Sequence, residues 1–112
     1  MSNQSLPYTF IKQLPQSAEA PSDGILSRNL YKDENIKVVL FAFGPGQELS
    51  EHTASMPAVV HVLEGEGSIN LGEDEKPLKP GSWVHMAAHL PHSVRADTPL
   101  VLLLTLLKQG RS

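Results

Sequence analysis

Five histidines, at positions 52, 61, 85, 89 and 92, are the residues of this chain best suited to chemistry. Imidazole is the commonest metal ligand and the only side chain whose unperturbed titration falls near neutrality. His52 comes shortly after a Gly44-Pro45-Gly46 turn, and His92 opens an alternating run directly behind Pro91. Both positions are strand beginnings, where the mouths of barrels recruit ligands. Glu48 and Glu51 lie close to His52 in sequence and could serve as a base, although acidic residues in a loop are more often simply solvated. No Ser/His/Asp order, phosphate-cradling glycine loop or nucleotide fingerprint is present.

The elements that must position these rings are short strands. Eight glycines and nine prolines cut the sequence into pieces too short for ordinary helices. The runs 25–32 and 36–43, joined by the polar turn Asp33-Glu34-Asn35, form a hairpin. Further strands are expected at 57–64, 68–71, 83–86, 92–97 and 100–107, with 72–75 as a turn. In 92–97 the alternation puts His92, Val94 and Ala96 on one face. Counting in twos puts Ala58, Val60 and Val62 on one face of their strand and His61 on the other, and sets Val84 and Met86 on the face opposite His85. Such a series describes an all-β sandwich or barrel.

With 112 residues there is room for one domain. Residues 1–24 read as an N-terminal arm and loop, 25–108 as the barrel and 109–112 as a tail. A hydrophobic share of 40% with 19% charged residues is that of an ordinary globular protein, and the chain has no cysteine to form a disulfide. A net charge of -3 with scattered lysines gives no basic stripe, so nucleic-acid binding is not expected. No apolar run approaches the roughly 20 residues a membrane helix needs. No secretory apolar region opens the chain, and a cytoplasmic protein is the expectation.

The spacing of particular residues resembles that of the cupin family over about residues 25–107. Its first motif, a glycine, five residues, His-x-His, three or four residues, a glutamate, six residues and a glycine, is matched by Gly46, His52 and Gly65. Ala54 stands where the second histidine would be and Ala58 where the glutamate would be. The second motif is matched by Gly81 and His92, with Ala87, His89 and Ala96 in place of its proline, glycine and asparagine. The resemblance implies a double-stranded β-helix, or jelly roll, with a cavity near His52 and His92 lined by Ala54, Ala58, Val60, Val62, Trp83, Met86 and Val94; Phe41 and Phe43 could add to it. It also implies a metal centre of three histidines and one glutamate holding divalent iron, manganese, nickel or zinc.

Two imidazoles in place of four protein ligands predict that such an ion is held weakly or not at all. His52 and His92 then either line a metal-free pocket or form a rearranged site completed by His89. The competing role of His89 is that of a turn residue with left-handed backbone. The implied strand order places His61 and His85 opposite each other on an outer sheet face, as half-buried residues or as a secondary interfacial pair.

Two functions follow: a barrel binding a small molecule, or a metal-dependent dioxygenase, isomerase or lyase acting on a small organic substrate. The last strand is apolar at both parities, Leu102, Leu104 and Leu106 on one and Val101, Leu103 and Leu107 on the other. Whichever set fills the barrel, the other needs cover. A homodimer that exchanges the Tyr8, Phe10, Ile11 arm would supply it.

Overall fold

A computed structural model describes residues 7–14 and 20–108. Among them are nine strands and no helix: β1 (Ile25–Lys32), β2 (Ile36–Phe43), β3 (Glu48–His52), β4 (Ala58–Glu64), β5 (Gly67–Leu71), β6 (Asp74–Leu78), β7 (Trp83–Met86), β8 (His92–Ala96) and β9 (Leu100–Leu107). They form two antiparallel sheets, ordered β1-β2-β9-β4-β7 and β3-β8-β5-β6. The jelly roll expected from the sequence is therefore the fold. No described helix is long and apolar enough to cross a membrane.

Alternation makes the core. β4 buries Ala58, Val60 and Val62, β8 buries Val94 and Ala96, and β9 turns Leu100 and Leu102 inward, with Phe43, Ile69, Leu78 and Met86 completing one cluster between the sheets. The other parity of β9 is also covered. Val101 is fully buried in a second cluster with Leu40 and Ala42, against which Ala20, Leu30, Leu63 and Leu103 pack. Part of the cover is therefore the loop before β1, where Gly44 N–H donates to the Gly24 carbonyl at 2.9 Å. Further along this outer face, Pro7, Tyr8, Ile11 and Leu14 of the arm line a groove with Leu30, Val38 and Leu103. The arm thus lies beside its own barrel, with Tyr8 and Phe10 still 67% and 77% exposed.

The β1–β2 hairpin is tied at its turn by Asp33. Its Oδ1 accepts from the N–H groups of Asn35 and Ile36 at 2.7 and 2.9 Å, and its Oδ2 accepts from the Tyr31 hydroxyl at 2.6 Å. The Tyr31 hydrogen bond first, and then those two N–H groups, hold the Asp33 carboxyl below the usual carboxylate range, while the same Asp33 bond raises the Tyr31 phenol.

Two strands depart from the sequence reading. β3 ends at His52, where the sequence reading had a strand begin, and β6 takes up half of the expected turn, leaving a two-residue turn at Gly72 and Glu73 with Gly72 at φ +64°. Both are edge strands of the smaller sheet. Residues 1–6, 15–19 and 109–112, which include the tail and most of the Ser17–Gly24 loop's first half, lie outside the described residues.

Gly65, after β4, has φ +89°, and a Cβ there would collide with the Pro99 carbonyl oxygen. Positive φ alone costs a non-glycine residue roughly 1–2 kcal/mol. Gly65→Ala is expected to exceed that in urea unfolding, because backbone must also move. Gly46→Ala, whose Cβ would meet nothing within 4 Å at φ +79°, is expected to lose about the conformational penalty alone. Equal midpoints for the two variants would contradict the packing of the β4–β5 turn against the β8–β9 turn.

Candidate functional site

β3 and β8 pair so that His52 stands directly opposite His92. The register advances by three residues on β3, from Leu49 to His52, against two on β8, from Val94 to His92. That β-bulge turns His52 onto the face shared by Leu49, Val94 and His92, which simple alternation from Leu49 would not do. The ring centroids are 4.2 Å apart with planes inclined at 60°.

Each ring is anchored by the backbone two residues before it. His52 Nδ1 lies 2.9 Å from the Ser50 carbonyl oxygen and His92 Nδ1 lies 2.9 Å from that of Leu90. A carbonyl oxygen only accepts, so both Nδ1 atoms carry the proton. In a neutral imidazole the second nitrogen is then a bare acceptor, and Nε2 is the atom each ring has left for the cavity. Two such acceptors cannot hydrogen-bond to each other. They need a donor or a cation between them.

The cavity beside them has a volume of about 180 Å³ and lies between the two sheets, with Ala54, Met56, Ala58, Met86, Leu90 and Leu104 in its walls. A smaller 60 Å³ hollow continues inward past both rings to Phe41, Phe43, Val60 and Val94. His52 is exposed at the mouth and His92 is half-buried behind it. No charged side chain lines either space.

Of the expected pocket residues, Ala54, Ala58 and Met86 line the cavity, and Val60 and Val94 its inner hollow. Val62 is wholly buried in the core and lines neither. Trp83 is a correction. It shares the outward parity of β7 with His85, is 62% exposed and sits across from His61. Met56, Leu90, Leu104 and Leu106 were missed. Met56 lies in the loop after β3, where no periodicity could announce it, whereas Leu104 and Leu106 follow from the inward parity of Leu102.

His89 is exposed, has φ +70° and donates its backbone N–H to the Ala54 carbonyl at 2.7 Å. It stands where the motif has glycine because the turn needs left-handed backbone, and it lines neither space. The rearranged three-histidine site is thus not formed. His61 and His85 do share the outer face, but diagonally: the partners are Val59 with His85 and His61 with Trp83. Glu48 and Glu51 are exposed on β3, away from the cavity.

This donor set does not fit a centre of three histidines and one glutamate. Alanine methyl groups occupy two ligand positions, and no cluster of three or more His, Cys, Asp or Glu side chains able to hold a metal ion occurs among the described residues. A divalent ion between two neutral rings in apolar walls would lack both ligands and compensating charge.

A family model described as "Cupin domain" matches residues 39–106. A conserved protein of unknown function from Streptococcus pyogenes superposes with a TM-score of 0.80 at 22% identity, over 96% of this chain and 100% of the other. A cupin 2 conserved barrel domain protein from Leptotrichia buccalis is 33% identical, with a TM-score of 0.75 over 80% of this chain and 44% of that one. A salicylate 1,2-dioxygenase mutant from Pseudoaminobacter salicylatoxidans shares the fold at 18% identity, with a TM-score of 0.71 over 74% of this chain and 26% of the other. No curated protein matches the chain.

Restoring the missing ligands tests the account of the donor set. Ala54→His with Ala58→Glu is expected to raise zinc or nickel retention, measured by elemental analysis after dialysis, by more than the roughly 10–100-fold of an outer-shell change. A native chain that retains these ions as firmly as the double variant would contradict it.

Proposed function

This chain belongs to the cupin family, and from that premise we propose that it is a small-molecule-binding barrel whose ligand is neutral, apolar in body and rich in hydrogen-bond donors at one end. One observation carries the reading: Nδ1 of His52 and of His92 each donates to the carbonyl two residues earlier at 2.9 Å, leaving Nε2 as the acceptor on two rings whose centroids are 4.2 Å apart. A phenol, diol or amide supplies the donors these nitrogens lack. A carboxylate or phosphate brings lone pairs to lone pairs and finds no cation in the walls.

Size narrows the class further. At about 180 Å³ the cavity is smaller than the roughly 300–1,000 Å³ of pockets for drug-sized ligands. Ala54 and Ala58 support the reading directly, because longer ligating side chains at those positions would project into the space the molecule needs.

Titration of phenols, diols and amides, each paired with a carboxylate of matching shape, is followed by the ring carbon resonances of the histidines. Neutral donors are expected to bind more tightly than their carboxylate partners. His52→Ala and His92→Ala are each expected to weaken them about 2- to 12-fold, the worth of roughly 0.5–1.5 kcal/mol per hydrogen bond. Preferred carboxylates, or unchanged affinity in the double variant, would refute the reading.

The barrel works as a homodimer in this proposal. Support comes from the outer face of the larger sheet, where the arm leaves Tyr8 and Phe10 67% and 77% exposed and β7 leaves Trp83 62% exposed. Exposed aromatic side chains of this kind are enriched at protein–protein interfaces. Light scattering at micromolar concentration is expected to give twice the chain mass, falling to one chain mass in Phe10→Ser with Trp83→Ser. A monomeric native chain would end the dimer reading.

A further inference from the structure

The chain has three methionines, and the two internal ones, Met56 and Met86, both line the cavity that holds His52 and His92. Met86 also borders the inner hollow, again beside both rings. With the two Nε2 atoms, the cavity thus brings together two imidazole and two thioether donors, none of them anionic. No carboxylate or thiolate lines it.

We infer that this cavity is a binding site for a soft monovalent cation, copper(I), held by Nε2 of His52 and His92 and by the sulfurs of Met56 and Met86. Thioether ligands select soft ions such as copper(I), whereas iron(II), manganese(II) and zinc(II) draw on carboxylate or thiolate charge that is absent here. Charge argues the same way. A single positive charge in walls of alanine, leucine and methionine is far less costly to desolvate than a double one with no anion beside it.

The rings are prepared for such an ion. Each Nδ1–H is committed to a backbone carbonyl, the outer hydrogen bond that fixes ring orientation and presents Nε2 to a metal. Their centroids, 4.2 Å apart, are close enough for both nitrogens to reach one ion at the usual metal–nitrogen distance of about 2.0–2.1 Å. The soft donor set also accounts for the alanines at positions 54 and 58. It is a different site from the hard one they abolish. The inference goes beyond the organic-ligand reading: both use the two rings, but only the ion uses the thioethers.

The test uses the full-length chain without an affinity tag, under anaerobic conditions, with methionine methyl groups labelled for NMR. Copper(I), or silver(I) as its diamagnetic analogue, is expected at one equivalent to shift the Met56 and Met86 methyl signals together with the His52 and His92 ring signals. Zinc(II) at equal concentration should leave the methyl signals in place. Met56→Leu with Met86→Leu, a volume-conserving change, is expected to weaken copper(I) in competition with a chromogenic chelator by more than about 10-fold. Binding of a neutral phenol probe is measured separately on the native chain without copper(I), so that the two readings fail separately. A shift confined to Met1, copper(I) held as tightly by the leucine variant as by the native chain, or displacement of copper(I) by equimolar zinc(II) would overturn the inference.

Discussion

A barrel with an apolar interior can carry an imidazole on its inner face only if the ring's N–H finds a partner there, because an unsatisfied donor costs about 1–3 kcal/mol. His52 and His92 meet that condition locally, each with the carbonyl two residues earlier in the chain. The solution fixes the tautomer. It also decides the chemistry of the cavity, since every occupant must approach two bare Nε2 atoms. The β3 bulge serves the same end, for without it His52 would leave the face that His92 occupies.

The remaining walls fit this division of labour. Ala58 on β4, Met86 on β7 and Leu104 on β9 come from the larger sheet, the two histidines from the smaller one. The cavity is therefore a gap between layers, kept open where alanine stands at positions that longer side chains would fill. At the other end of the barrel Ala96, Leu100 and Val62 are fully buried, and the collision awaiting any side chain at Gly65 or Gly67 shows how tightly the turns close there.

The strands that bury one face were legible in the sequence because alternation is the signature of a half-buried strand. The facing of β4 and β8 was read correctly, each strand being one residue shorter than expected, and the two-sided apolar character of β9 announced the cover that the loop before β1 partly provides. The extent of β3, which ends rather than begins at His52, and the whole of β6 were not legible. As edge strands they expose nearly every residue, and β6 carries Asp74, Glu75, Lys76 and Pro77, the residues that protect an edge from pairing with another chain. The motif frame located His52 and His92, yet the bulge that aims His52 leaves no mark in hydrophobic periodicity. Trp83 was misplaced because aromatic character was weighed above parity, which sends it outward with His85. His89 shows how a backbone requirement can imitate a ligand: the turn needs φ near +70°, and the histidine there satisfies it with its main chain.

The binding chemistry of the cavity rests on the protonation pattern of two rings. Long-range proton–nitrogen correlation NMR on the ligand-free chain, at a pH where both rings are neutral, reads it directly. Nδ1 of both His52 and His92 is expected to show the shift of a protonated nitrogen and both Nε2 atoms that of a bare one. A proton on Nε2 of either ring would contradict that pattern, because the two rings would then satisfy each other and leave the cavity nothing to bind with.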